Sequence, residues 1–157
     1  MNLYGELATG IVRQACSDYL QLMKRVIAYE SKAEGANLER CRKSMWKVAE
    51  HELDYKKLVA KKRGEELTGY EPLVKEILKL YYDDSLEQIA ELREFFIGDD
   101  FVKLSEHLNG KTILRKLDSL VDQWKNDEIS DDRLVLSSNL KKRGREPGKG
   151  KRWQAER

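Results

Sequence analysis

LERCRKSMWKVAEHELDYKKLVAKK, residues 38–62, carries a regular pattern with alternating spacings of three and four residues. This is the spacing of a coiled-coil seam, so the stretch predicts a helix that packs along another helix. The seam consists of Leu38, Cys41, Met45, Val48, Glu52, Tyr55 and Val59. Glu52 is its one polar member. It either pairs with a lysine across the contact or marks the point where the seam turns away and leaves it in water.

The preceding segment offers a partner for this helix. Residues 3–33 place apolar side chains mostly three and four positions apart, which predicts one long helix. The interruption EGAN follows at 34–37, where Gly35 suits a helix C-terminus and Asn37 suits the cap of the next helix. Two long helices joined by a short turn favour an antiparallel hairpin.

Shorter helices are predicted after a break at Gly64, Gly69 and Pro72. Pro72 suits the first turn of a helix that ends near Tyr82. The next three residues, DDS at 83–85, resemble the cap of a separate helix that ends near residue 96.

Two more helices complete the predicted domain. Asp99 or Asp100 caps a short one, and a turn follows at 109–110. Thr112 then caps a helix that contains Trp124. Residues 127–140 are expected to form a short helix or an extended arm. The fold class is all-α: a long antiparallel helical hairpin packed with a bundle of shorter helices and followed by a basic, flexible C-terminal tail.

The composition agrees with a helical protein of one domain. The chain has 157 residues, 37% of them charged, and two prolines, which is unlike a compact α/β enzyme. It contains no apolar run of membrane-spanning length, and the N-terminus lacks the pattern of a secretion signal. Cys16 and Cys41 lack CxxC spacing and are expected to be free thiols that fill the core. The expected location is the cytoplasm of a bacterial host.

Charge is distributed unevenly along the chain. Residues 141–157 contain eight Lys and Arg against two Glu and therefore carry +6; because the whole chain carries +2, residues 1–140 carry −4. Basic tails of this kind bind polyanions or stay solvated. The candidate nucleic-acid-binding or partner-binding residues are Lys141, Lys142, Arg143, Arg145, Lys149, Lys151, Arg152 and Trp153.

Three interpretations of this tail stay open. RGREPGK at 143–149 is similar to the AT-hook of minor-groove-binding proteins, although Glu146 interrupts the Arg-Gly-Arg-Pro core of that motif. A phosphate contact without base specificity is the second interpretation, and a solvated or protein-docking arm is the third. Trp153 could stack on an unpaired base or insert into a hydrophobic groove.

Catalytic and metal-binding motifs are incomplete. The glycines of the tail lack the spacing of a phosphate-binding loop. HELDY at 51–55 has tyrosine where a zinc protease needs its second histidine, so His51 is expected to be a solvated helix residue. The Asp-Asp pairs at 83–84, 99–100 and 131–132 are explained by helix capping. We therefore predict no enzymatic activity, no metal and no cofactor.

Two blocks, YGELATGIVRQACSDYL (4–20) and LEQIAELREFFIGDDFVKLSEHLNGKTILRKL (86–117), carry a resemblance. They resemble a family of small helical proteins encoded by prophages and integrative elements of low-GC Gram-positive bacteria. The matching residues are Ile11, Val12, Gln14, Ala15, Asp18, Tyr19, Phe95, Phe96, Phe101, Leu104 and Gly110. The resemblance covers about a third of the chain and implies a mobile-element origin without an assigned activity.

These observations predict a domain at 1–125, in which 31–82 is an inserted helical hairpin, and a basic arm at 126–157. The expected function is non-enzymatic binding to a nucleic-acid-handling host complex, as an anti-CRISPR-type inhibitor of a Cas nuclease. The alternative is a DNA- or RNA-binding accessory or regulatory factor of the mobile element. Expected partners are a protein, such as a Cas effector ribonucleoprotein, and RNA or DNA through the tail. No membrane contact is expected, and an unpaired seam on the hairpin would favour a homodimer.

Overall fold

The computed structural model describes residues 3–105 and 107–131, with the backbone alone for residues 3–7. Within these ranges every regular element is helical, which confirms the all-α prediction. The helices are α1 (Leu3–Glu30), α2 (Ala36–Lys62), α3 (Glu71–Ile97), α4 (Asp99–Leu104) and α5 (Gly110–Lys125).

The main core lies between α1, the second half of α3, α4 and α5. Helices α1 and α3 are antiparallel, because Tyr29 stacks on Tyr82 with ring centroids 4.5 Å apart, while Arg93 lies over the ring of Tyr19. The largest fully buried side chains belong to this core: Tyr19, Leu20, Phe96, Phe101, Val121 and Trp124. The apolar positions of α1 and α5 thus meet on α3, as their helical spacing predicts.

The antiparallel hairpin is formed by α2 and α3, rather than by the first two helices as the sequence favoured. A second, smaller core holds this hairpin together and consists of Ala49, Leu53, Val74 and Ile77. Helix α2 instead crosses α1, where the thiol of Cys41 lies 3.8 Å from the carbonyl oxygen of Lys24. The predicted break between α2 and α3 is confirmed.

Arg42 explains why the short connection at 31–35 does not make a simple hairpin turn. Its guanidinium donates to the carbonyl oxygens of Ala28 (2.9 Å), Ser31 (2.6 Å) and Ala33 (3.0 Å). The end of α1 and the connection at 31–35 are therefore held beside the second turn of α2. The connection lies along α2, and the far half of α2 continues past the end of α1 to pair with α3.

Helix α3 is continuous across 83–85, so the predicted break there is wrong. Asp83 pairs with Lys79 at 2.5 Å, and Asp84 accepts a hydrogen bond from Gln88 at 2.6 Å. Both are i,i+4 contacts that stabilise a helix interior. Ser85 is buried against the other helices. No glycine or proline interrupts 73–97, so the tertiary contacts on both sides keep the helix intact.

The caps of the short helices also differ from the predictions. The cap of α5 is Asn109, whose side chain accepts from the Thr112 backbone N–H at 3.0 Å, so Thr112 does not cap the helix. Gly98 occupies the cap position of α4, and Asp99 and Asp100 lie in its first turn. In both cases a residue one to three positions earlier occupies the cap position: Asn109 for α5, through its side chain, and Gly98 for α4, without a side-chain bond.

The N-terminus of α2 is capped by a residue that lies far away in the sequence. Asp127 accepts from the backbone N–H groups of Ala36 (3.1 Å) and Asn37 (2.9 Å). Asn37 was the predicted cap, but its side chain is 3% exposed and donates to the carbonyl oxygens of Trp124 (2.9 Å) and Ile129 (2.7 Å). The start of α2 is therefore joined to the end of α5.

The first residues of the predicted basic arm are part of this junction. Asp131 accepts from Trp124 Nε1 at 2.6 Å and lies 3.1 Å from Lys24 Nζ and 3.3 Å from Arg40 Nε. Partial burial disfavours the charged carboxylate, but the hydrogen bonds from Trp124 and Lys24 outweigh it, so the pKa of Asp131 is lowered. Residues 132–157, which include all the candidate site residues of the tail, lie outside the described ranges.

Gly110→Ala is expected to destabilise the protein by about 2 kcal/mol or more. A Cβ at position 110 would lie 1.7 Å from the carbonyl oxygen of Phe96, a backbone atom that no rotamer change can move away. Thermal unfolding measures the effect. Gly10→Ala is the control, because a Cβ there meets nothing within 4 Å in the middle of α1 and should raise stability by roughly 0.5–1 kcal/mol. Equal stability of Gly110→Ala and wild type would contradict this packing.

Asp131→Asn is expected to lower the free energy of unfolding by about 1 kcal/mol at pH 7. The folded-state pKa of Asp131 lies below its ordinary value of 3.8, so its contribution is present above that value and is lost as the pH falls through the folded pKa. Denaturant titrations at pH 7 and at acid pH should therefore show a difference that shrinks on acidification. Asp54→Asn, an exposed carboxylate on α2, should have little effect at either pH.

Candidate binding surfaces

The two helices of the hairpin carry opposite charge. Helix α2 contains eight Lys and Arg against four Asp and Glu, whereas α3 contains seven Asp and Glu against three Lys and Arg. Each helix buries one side against the other or against the main core, so most of these charges lie on outward-facing sides. The body of the protein is therefore electrically asymmetric across the hairpin, although its net charge is small.

The acidic face of α3 is defined by Asp83, Asp84, Glu87, Glu91 and Glu94. These residues recur at three- and four-residue intervals, and all five are exposed. They lie opposite the buried positions Ser85, Ile89 and Phe96. The periodicity that anchors one side of α3 in the core thus sets the carboxylates in a line along the other side.

Much of this negative charge is uncompensated. Among the described residues, Glu87, Glu91 and Glu94 make no ion pair. Arg93 is the one cation between 83 and 97, and its guanidinium lies 3.0 Å from Asp118 of α5. The same Asp118 accepts from the Tyr19 hydroxyl at 2.5 Å, so Arg93 is held toward the core side of the helix. Asp83 is paired with Lys79, but over Glu87, Glu91 and Glu94 the acidic face can attract a basic surface without competition from a neighbouring cation.

A groove between α2 and α3 forms the second surface. This hairpin groove has a volume of about 460 Å³ and is lined by Glu52, Leu53, Tyr55, Lys56, Val59, Ala60, Arg63, Glu65, Leu67, Leu73, Glu76, Ile77 and Leu80. Tyr55 is 63% exposed and Leu80 is 55% exposed. Two large apolar side chains are thus available to a binding partner in a groove with charged edges.

Three members of the outer half of the predicted seam, Glu52, Tyr55 and Val59, line this groove, and Val48 lies next to it toward α1. Val48 and Tyr55 are exposed, because α2 contacts α3 through Ala49 and Leu53 instead. Glu52 accepts a hydrogen bond of 3.4 Å from the Tyr81 hydroxyl, and no lysine pairs with it in the described part of the chain. The alternative in which the seam turns away at Glu52 is therefore the one observed, although Glu52 is half-buried rather than fully in water.

The described residues contain no group of three His, Cys, Asp or Glu arranged to hold a metal ion. His51 is exposed on α2, as its solvated interpretation predicts. Cys16 and Cys41 are half-buried thiols that are not joined in a disulfide, and burial raises the pKa of the Cys41 thiol. Lys24, Arg25 and Arg42 lie near Cys41, but burial outweighs their effect on its pKa, so this thiol is not activated.

The acidic face was missed because its carboxylates were interpreted one pair at a time. Asp83–Asp84 and Asp99–Asp100 were assigned to helix caps. The sequence signal for the acidic face is the total charge of the stretch: residues 83–100 contain seven Asp and Glu against one Arg. Such a bias over five helical turns indicates a continuous charged surface.

No protein-family model matches this chain, and no significant match was found among curated proteins or solved structures. The resemblance to a mobile-element family therefore stays a prediction from the motifs quoted above. Across residues 3–105 and 107–131, no helix has the length and apolar content needed to cross a membrane.

Glu91→Lys is expected to raise the free energy of unfolding by about 0.5 kcal/mol at low salt. The change removes a like-charge i,i+4 pair with Glu87 and creates a Glu-to-Lys pair in the favourable order. Thermal unfolding at about 20 mM and 500 mM NaCl tests this, because screening should remove most of the gain. Glu91→Gln should give a smaller gain. A Glu91→Lys variant less stable than wild type would show that Glu91 has a structural partner.

Proposed function

We propose that this protein is a non-enzymatic binding protein whose acidic face docks on the basic, nucleic-acid-binding surface of a partner protein. In its specific form the proposal is an anti-CRISPR-type inhibitor that occupies the nucleic-acid channel of a Cas nuclease. The observation that carries it is the line of uncompensated carboxylates, Glu87, Glu91 and Glu94, on the outer side of α3.

The acidic face suits this role because it is both charged and rigidly supported. Glu87 and Glu94 are two helical turns apart, about 10 Å, on a helix anchored in the core by Ile89 and Phe96. A rigid scaffold leaves little conformational entropy to lose on binding. Lysines and arginines that normally hold a nucleic-acid backbone would meet a row of carboxylates in place of phosphates, which favours fast, salt-sensitive association.

The link to Cas nucleases comes from the resemblance to mobile-element proteins, whose hosts carry such defences. These nucleases hold their guide–target duplex in a positively charged channel. An acidic helix on a small domain is a physical competitor for such a channel.

One observation favours the alternative, a nucleic-acid-binding accessory factor. Asp131, the last described residue, is bound to Arg40 near the start of α2, so the end of the described chain lies beside the basic helix. Exposed cations on α2, such as Lys43 and Lys47, and the basic residues of 141–152 would then belong to one phosphate-binding region.

The inhibitor proposal is tested with purified Cas nuclease–guide RNA complexes and labelled target DNA. The full chain, added before the DNA, is expected to reduce DNA binding, with an effect that weakens as salt rises from about 50 to 300 mM. Combined reversal of the acidic face (E87K/E91K/E94K) should reduce inhibition at least tenfold. The matched control E34K/D54K/E66K changes the same charge on the α1–α2 connection, α2 and the loop after α2, where all three carboxylates are exposed and outside the hairpin groove, and should inhibit like wild type.

Loss of inhibition in both triple variants would indicate a nonspecific charge effect. If the wild-type protein inhibits none of a panel of Cas effectors, the inhibitor form of the proposal is overturned. The accessory-factor alternative is tested by fluorescence anisotropy with mixed DNA and RNA at about 150 mM salt. Micromolar binding that is lost when the seven basic residues of 141–152 are changed to glutamine, but retained by E87K/E91K/E94K, would favour that alternative.

A further inference from the structure

The seam of α2 changes its environment halfway along the helix. Leu38 is fully buried in the main core, and Cys41 and Met45 pack against that core. Val48 and Tyr55, later in the same seam, are 53% and 63% exposed. The change occurs where α1 ends, because Glu30 and Tyr29 lie at the level of Tyr82. The outer seam thus continues a helix-packing surface beyond the helix that covers its first half.

The outer seam and the hairpin groove have the dimensions of a helix-docking site. From Val48 to Arg63, α2 extends about 24 Å, and two adjacent helices present a width of about 20 Å. The three-and-four spacing of Val48, Glu52, Tyr55 and Val59 fits side chains of an adjacent helix. Only a helical partner meets this spacing along its whole length.

We infer that this site is occupied by a second copy of the same chain, in a two-fold symmetric dimer in which the two α2 helices run antiparallel across the groove. The two-fold axis passes between residues 53 and 54 of each α2 helix, so Val48 of one copy lies opposite Val59 of the other. It also places Glu52 opposite Tyr55 and Lys56 of the second copy. Val48 and Val59 meet each other, Tyr55 packs beside Glu52, and each copy contributes the same surface, as a two-fold interface requires.

Charge complementarity supports this occupant. Glu52, the polar member of the seam, meets the ammonium of Lys56 from the second copy, and the two-fold axis makes this pair twice. The groove as a whole is nearly neutral, with Glu52, Glu65 and Glu76 against Lys56 and Arg63. Two copies therefore do not repel each other there. A nearly neutral groove offers little electrostatic attraction to the basic segment 141–152.

The size of the surface predicts a weak dimer. A face of about 24 by 20 Å buries roughly 500 Å² per copy, which is near the lower limit for a specific interface. We expect dissociation in the micromolar range. This inference does not depend on the proposed function, because the outer seam lies on α2 and the acidic face lies on α3.

Sedimentation velocity of the full chain at about 5–500 µM tests the dimer. The weight-average mass should rise from 18.3 kDa toward twice that value with increasing concentration. Tyr55→Glu should weaken association at least tenfold. Leu58→Glu is the matched control, because Leu58 is similarly exposed (54%) on another side of α2, outside the groove, and it should dimerise like wild type. Circular dichroism checks that both variants remain folded.

The register is tested by charge exchange. E52K and K56E should each weaken the dimer, and the double variant E52K/K56E should recover most of the association. Glu52 and Lys56 are also i,i+4 neighbours within α2, so the two single variants are mixed as well: association of E52K with K56E restores only the pairs between copies. Three results would each overturn the inference. The first is a monomer at 500 µM, and the second is equal effects of Tyr55→Glu and Leu58→Glu. The third is loss of the dimer when the basic residues of 141–152 are neutralised.

Discussion

The junction between Asn37, Asp127 and the end of α5 is the constraint on which the arrangement of helices depends. The first N–H groups of α2 have no partners within their own helix and must be satisfied from outside. Asp127 satisfies two of them, and the buried amide of Asn37 donates to the carbonyl groups of Trp124 and Ile129. Because these contacts are buried or charge-assisted, they fix where α2 begins and oblige it to cross α1 rather than fold back along it.

This crossing divides the molecule into two parts of unequal packing. The main core contains large aromatic side chains, including Tyr19 of α1, Phe96 of α3 and Trp124 of α5. The outer part of the hairpin relies on four smaller residues, Ala49, Leu53, Val74 and Ile77. A two-helix layer with so few buried contacts leaves apolar side chains exposed and has lower local stability than the main core. The surfaces available for binding are therefore concentrated on the hairpin.

The two hairpin surfaces favour different partners: the acidic face of α3 favours a basic one, and the hairpin groove favours one with matching shape. The acidic face of α3 is a polar, rigid line of carboxylates, so a partner there must be basic and its binding must depend on salt. The hairpin groove is apolar at its centre and nearly neutral at its edges, so a partner there must match its shape and helical spacing. Because the surfaces lie on different helices, one molecule can use both at once: self-association through α2 would present two acidic faces to a target.

The sequence by itself determined the helical class, the extent of α1, α2 and α5 within a few residues, the break between α2 and α3 and most apolar positions of the main core, because helical periodicity and glycine–proline signals are local. It also contained the seam of α2 and the acidic bias of 83–100. Only the tertiary structure decided which helix pairs with which, that Asp127 rather than Asn37 caps α2, and that α3 continues through Asp83 and Asp84. The physical reason is that several carboxylates offer similar local capping energy, and the choice among them depends on contacts between residues up to 92 positions apart.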